Sequence, residues 1–184
     1  MITEVEIYGQ AELDRLCERR DFPRSALVSI GNPHWPFRKP SYDEALPRSI
    51  KDKFRDILRL EFFDEVEFEK IPRGKPKRLP QKRDIRKVID FYERHGNECD
   101  RIVIHCRSGV SRSTAVGMVI LYLIHRDEDA VIERMKKQRP YAVPHEGILK
   151  LADELLGSRL EVRRLDIMRN WKGRIRERMN AKGE

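Results

Sequence analysis

The sequence predicts an α/β fold: a central, mostly parallel (mixed) sheet flanked by helices, with a basic helix at the C-terminal end. Two observations carry this. Short apolar runs rich in Val and Ile alternate with longer amphipathic stretches along the chain, the pattern of parallel strands joined by crossover helices. The chain has 184 residues, 39% of them hydrophobic, which supplies the core of one ordinary domain with a short appendage. The domain is placed at residues 1–157, and a basic amphipathic helical extension at 158–184.

The elements follow in order. Val5–Tyr8 alternates and reads as a short edge strand. Gln10–Arg20 puts Leu13, Leu16 and Cys17 on one helical face. Ala26–Ile30 is an apolar run stopped by Gly31-Asn32-Pro33, a buried strand entering a loop. Residues 31–47 hold four prolines and predict irregular surface chain, with a short helical piece near Ile50–Phe54. Ile57–Phe63 reads as a strand ending at Asp64, before a loop of Pro, Gly and cations over 71–80. A helix is expected from Pro80, which suits a first turn, with Ile85, Val88, Ile89 and Tyr92 inward and Gly96 at its end. Arg101–His105 is a short β-branched strand. Ser113–His125 is apolar almost all round, hence a buried helix. Asp127 or Asp129 caps a helix reaching Gln138, and His145–Leu156 gives another, ended by Gly157. The tail spaces Leu165, Met168, Trp171, Ile175 and Met179 at helical intervals.

Charge and cysteine usage bound the function. The net charge is +8, which attracts anionic partners such as phosphorylated proteins, nucleic acid or acidic membranes. The excess lies in two runs, which could equally serve solubility. One holds Arg73, Lys75, Lys77, Arg78, Lys82, Arg83, Arg86 and Lys87; the other is the tail. The tail could dock its apolar stripe on the domain, form a dimer, or bind nucleic acid or anionic lipid. Three cysteines, Cys17, Cys99 and Cys106, do not make a disulfide framework and imply a reducing compartment. The acidic N-terminus lacks the apolar segment of a secretion signal. The longest apolar stretch, residues 115–124, is too short to cross a bilayer. A cytoplasmic protein is expected.

The run His105-Cys106-Arg107-Ser108-Gly109-Val110-Ser111-Arg112-Ser113 stands between a predicted strand and a predicted buried helix. A loop ending at a helix N-terminus turns backbone N–H groups inward, and the helix dipole adds positive potential. Such a nest holds a dianionic phosphate, and the same field favours a thiolate at Cys106. A thiolate beneath phosphorus is a nucleophile. Arg112 offers a planar fork to two oxygens, and Gly109 lets the loop close tightly. Ser113 can hydrogen-bond the sulfur as it leaves. Cys106 could instead be a small buried hydrophobe, but Gly-x-x-Arg-Ser opening a buried helix does not suit that reading. Cys17 and Cys99 read as structural. His105 either bonds into the loop and sets the thiolate's surroundings, or is a satisfied core histidine.

This run resembles the His-Cys-x-x-Gly-x-x-Arg-Ser/Thr signature of the cysteine-dependent protein tyrosine and dual-specificity phosphatases. SALVSIGNP, ILRLEFFD, RIVIH and RPYAVPHEGILKLADELLG look like landmarks of the small prokaryotic-type branch, over about residues 25–157. The resemblance implies a cysteine-phosphatase-like domain at 1–157, a cysteinyl-phosphate intermediate, and no metal or cofactor. It implies catalysis by Cys106, Arg112, Ser113 and His105, and a substrate cradle of Arg107, Ser108, Gly109, Val110, Ser111 and Arg112. The leaving oxygen needs a proton, and the family takes it from an Asp on a loop after an upstream strand. Asp64 fits; Glu65 and then Asp84 follow. Where some members carry an amide after Pro144, this chain has His145, which could position water or simply pack. The implied substrate is phosphotyrosine, with phosphoserine and phosphothreonine in a shallow pocket. RNA 5′ phosphates or phosphoinositides are an alternative suggested by the basic runs, and a non-catalytic phosphate-binding module is another.

Overall fold

The structure is a computed structural model that describes residues 2–33, 46, 48–67 and 78–169. In chain order the elements are β1 (Glu4–Gly9), α1 (Gln10–Arg19), β2 (Ser25–Gly31), α2 (Arg48–Lys51), β3 (Asp56–Glu61), α3 (Lys82–His95), β4 (Arg101–Cys106), α4 (Arg112–His125), α5 (Glu128–Gln138) and α6 (Glu146–Leu156). Residues 160–169 are also helical. The strands form one sheet in the order β1-β4-β2-β3, and every pairing is parallel. The expected α/β architecture is therefore present. Among the described residues the sheet has no antiparallel strand, so its expected mixed character is not seen there.

Alternation along the strands sorts side chains into two cores. Ala26, Val28 and Ile30 of β2 and Ile102, Ile104 and Cys106 of β4 join the larger core, with Ile85, Val88, Val119, Ile132 and Ile148 from the helices. Leu27 and Val103, one residue out of phase, join the smaller core with Leu13, Cys17, Phe22, Ile50 and Phe54. Helix α4 is the keystone: eleven of its residues are buried, and it packs on β1, β4, α5 and α6. Leu160 and Ile167, both fully buried, belong to the larger core, so residues 160–169 lay their apolar side on the domain. Trp171, Ile175 and Met179 of the tail, most of the 31–47 loop, and Arg73, Lys75 and Lys77 of the first basic run lie outside the described residues.

Several boundaries differ from expectation, each for a local reason. The third helix begins at Lys82 rather than Pro80, because the Asp84 carboxylate accepts the Gln81 N–H (2.9 Å) and makes Gln81 the N-cap. The third strand ends at Glu61 rather than Phe63, because the Phe63 N–H turns to the Arg78 carbonyl (2.9 Å). The short helix is Arg48–Lys51 rather than Ile50–Phe54. Of the two acids considered as caps for α5, Asp127 is the cap and accepts from the Asp129 N–H at 2.8 Å. No described helix is long and apolar enough to cross a membrane.

Candidate active site at the carboxyl ends of the strands

Parallel strands end together, and here their carboxyl ends bring four chain segments into one place. These are Gly9 at the end of β1, Asn32 after β2, Asp64 after β3, and Cys106 at the end of β4 with the loop that follows it. The loop 107–111 joins β4 to α4 with its peptide groups firmly oriented. The Arg107 carbonyl accepts from the Gln10 N–H (3.1 Å), the Val110 carbonyl from the Val143 N–H (3.0 Å), and the Ser111 carbonyl from the His145 N–H (3.3 Å). Thr114 Oγ1 donates to that shell too, 2.7 Å from each of the Val110 and Ser111 carbonyls. In a trans peptide, N–H points opposite to C=O. With these carbonyls turned outward, the N–H groups of Ser108, Ser111 and Arg112 turn into the loop.

Gly109 makes the curvature possible. It has φ +72, and a Cβ there would sit 2.5 Å from the Gly9 nitrogen. Gly9 in turn has no side chain against the loop; a Cβ on it would lie 3.0 Å from the Ser108 carbonyl oxygen. Two glycines thus let the loop rest directly on the end of β1.

Cys106 is fully buried at the floor of this loop, with Sγ 3.1 Å from Ser113 Oγ. Arg112, only 3% exposed, donates from Nη1 to Asn32 Oδ1 and to the Phe62 carbonyl, both at 2.8 Å. Its Nε is buried and has no hydrogen-bond partner among the described residues. Asp64 stands at the mouth. Its Oδ1 accepts from Ser111 Oγ (2.6 Å) and lies 3.9 Å from Arg112 Nε. Of the three acids considered, Asp64 meets the loop. Glu65 lines a neighbouring cleft of about 280 Å³ with Val66, Leu79 and Leu151. Asp84 is fully buried away from the loop, paired with Arg78 Nη2 at 2.6 Å.

His105 alternates to the sheet face opposite Cys106. Its Nε2 lies 2.8 Å from Ser29 Oγ, which also accepts from Arg59 Nη1 (2.7 Å). The ring bonds across the sheet, so it serves the strand and not the side chains of the loop. Burial pushes its pKa down to about 3, the charges of Arg59 and Arg112 add to this, and the Cys106 backbone opposes it only in part. His145 is the N-cap of α6. Its Nδ1 accepts from the Ile148 N–H (3.3 Å), so Nε2 carries the proton and donates to the Glu65 carbonyl (3.3 Å). Burial lowers its pKa, and the Asp64 charge opposes that. Cys17 and Cys99 are buried and unpaired with each other, and burial raises both thiol pKa values. Among the described residues no cluster of three or more His, Cys, Asp or Glu side chains could hold a metal ion.

Sequence reasoning missed Asn32, the Phe62 carbonyl, Ser29 and Arg59. Asn32 alone had a readable signal: a polar residue directly after a buried parallel strand is where such sheets place ligand-facing groups. The other three carry none, because their partners lie 30 to 76 residues away.

The architecture is similar to that of several solved phosphatases. PTPMT1 shares 17% sequence identity over 90% of this chain and 92% of that chain, with a TM-score of 0.53. A mouse protein described as a dual specificity phosphatase shares 19% over 79% and 77%, with a TM-score of 0.51. Tk-PTP in its active form shares 19% over 88% and 93%, with a TM-score of 0.50. The chain has the fold of the tyrosine and dual-specificity phosphatases. No protein-family model matches the sequence, and no curated protein matches it.

Proposed function

We propose that this chain is a cysteine-dependent phosphatase that hydrolyses phosphate monoesters through a cysteinyl-phosphate. One observation carries the reading most: a buried thiol lies under a loop of inward N–H groups, beside an arginine whose buried Nε has no hydrogen-bond acceptor among the described residues. A buried donor without an acceptor is costly, and a phosphoryl oxygen would satisfy it. The fold of known phosphatases supports the same reading.

The chemistry runs in two steps. The Cys106 thiolate attacks phosphorus; the S–P bond forms and the P–O ester bond breaks. Asp64 gives its proton to the leaving oxygen. Water then attacks phosphorus, Asp64 takes a proton from it, and the S–P bond breaks to release inorganic phosphate and the thiolate. The Ser113 hydroxyl, 3.1 Å from the sulfur, steadies the departing thiolate. The N–H groups of Ser108, Ser111 and Arg112, with the Arg112 fork, neutralise the equatorial oxygens. Asn32 and the Phe62 carbonyl hold that fork by Nη1, leaving its other donors to the ligand. His105 stays neutral and braces the strand end that carries Cys106. The substrate we infer is phosphotyrosine, with phosphoserine and phosphothreonine, in a reducing cytoplasmic setting.

The purified protein should turn over para-nitrophenyl phosphate under reducing conditions, and Cys106→Ser should abolish this. Acid quenching should trap phosphate on Cys106. Turnover surviving Cys106→Ser, or no turnover by the intact protein, would overturn the reading. A panel of phosphopeptides, 5′-phosphorylated RNA and phosphoinositides then ranks substrates.

A further inference from the structure

Resting on that reading, we infer that His145 is a positioning residue that holds the segment carrying Asp64 against the phosphate loop. Three bonds from this one residue meet three separate pieces of chain. Its main-chain N–H donates to the Ser111 carbonyl (3.3 Å). Its Nδ1 accepts from the Ile148 N–H in the first turn of α6 (3.3 Å). Its Nε2–H donates to the carbonyl of Glu65 (3.3 Å), the residue directly after Asp64. The ring therefore fastens the Asp64 segment to the start of a packed helix, and the backbone of the same residue fastens that helix to the phosphate loop.

The site is built around the ring. His145 is 5% exposed. Gly147 leaves space for it, since a Cβ there would sit 3.2 Å from His145 Cε1. On the far side of the Asp64 segment, Ser111 Oγ donates to the Asp64 carboxylate at 2.6 Å. The segment is thus pinned twice, by side chain to the loop and by main chain to His145. Asp64 itself is 37% exposed at its side chain, so burial alone would not hold it. An acid acts only within hydrogen-bond reach of the leaving oxygen, and a displacement near 1 Å costs a large factor in rate.

The ring's two nitrogens separate the roles. Asparagine places an acceptor where Nδ1 stands, so it keeps the helix cap and cannot reach Glu65. Glutamine places a donor near Nε2, so it reaches Glu65 and gives up the cap. His145→Asn should lower kcat/KM on phenyl phosphate, whose leaving group needs a proton, by roughly tenfold to a hundredfold. On para-nitrophenyl phosphate, whose leaving group departs more readily without one, the fall should stay within about threefold. His145→Gln should recover most of the loss. In an Asp64→Asn background, His145→Asn should add nothing. In the intact protein the ring ¹⁵N shifts should report Nε2 protonated and Nδ1 as acceptor, a readout that does not depend on a variant folding. Equal losses on both substrates, full additivity with Asp64→Asn, or the opposite tautomer would each overturn the inference. Loss of activity in the intact protein, or its survival in Cys106→Ser, would strike the underlying phosphatase reading instead.

Discussion

His105 ties the stability of the protein to pH, and the size of the effect follows from its surroundings. Its folded-state pKa is about 3 against an ordinary 6.5, chiefly through burial. Below pH 6.5 the unfolded chain binds a proton on this residue and the native protein does not. Its contribution to stability is therefore complete above pH 6.5 and declines as pH falls toward 3. Each tenfold change in proton affinity is worth about 1.4 kcal/mol. The loss from this one residue is then about 2 kcal/mol between pH 7 and pH 5, and about 4 kcal/mol by pH 3. The perturbation is His105→Gln, which keeps a polar group opposite Ser29 and removes the titration. Urea unfolding of both proteins at pH 7, 6 and 5 measures it. His125 and His145 are also shifted down, but both are present in the two proteins and cancel in the comparison. The variant should lose about 2 kcal/mol less than the parent across that range, whatever its stability at pH 7. Identical pH dependence in parent and variant would refute the argument. The same burial means that His105 should contribute no limb to the pH–rate profile.

Three further outcomes are expected. Arg112→Lys keeps the charge and loses the fork held by Asn32 and Phe62; kcat/KM should fall about 10²-fold or more with an unchanged far-ultraviolet circular dichroism spectrum. Gly109→Ala puts a Cβ 2.5 Å from the Gly9 nitrogen at a positive φ; chemical denaturation should show a loss of about 2 kcal/mol or more, with activity lost in parallel. Ile167→Ala, far from the site in sequence but fully buried in the larger core, should cost about 2–5 kcal/mol by the same measurement. A cost below about 0.5 kcal/mol there would show that residues 160–169 do not pack on the domain.

Much of the fold was legible because it rests on local pattern. The β-branched runs became β2 and β4, and the all-round apolar stretch after the loop became the buried helix α4. Ends of elements were less legible, since they depend on partners elsewhere. Nothing in the run Ile57–Phe63 says that Phe63 will leave the ladder for Arg78. Among the acids, sequence could rank Asp64, Glu65 and Asp84 only by position. Distance separated them: Asp64 meets Ser111, Glu65 offers its carbonyl to His145, and Asp84 caps α3. Adjacency to Cys106 favours a His105 that bonds into the loop over a satisfied core histidine. The pleat decides against it, because a residue next to Cys106 must point to the other face of the sheet.

By itself, the sequence determined the sheet-and-helix plan and marked out the Cys106–Arg112 loop as the candidate site. Strand periodicity is local, and the residues of that loop are contiguous in the chain. The tertiary structure alone decided what surrounds that loop. The order β1-β4-β2-β3 sets Gly9, Asn32 and Asp64 at the rim around Cys106, and α6 delivers His145 to the far side. Those groups meet because parallel strands end on one edge, a juxtaposition of residues up to 97 positions apart in a register that no local pattern encodes.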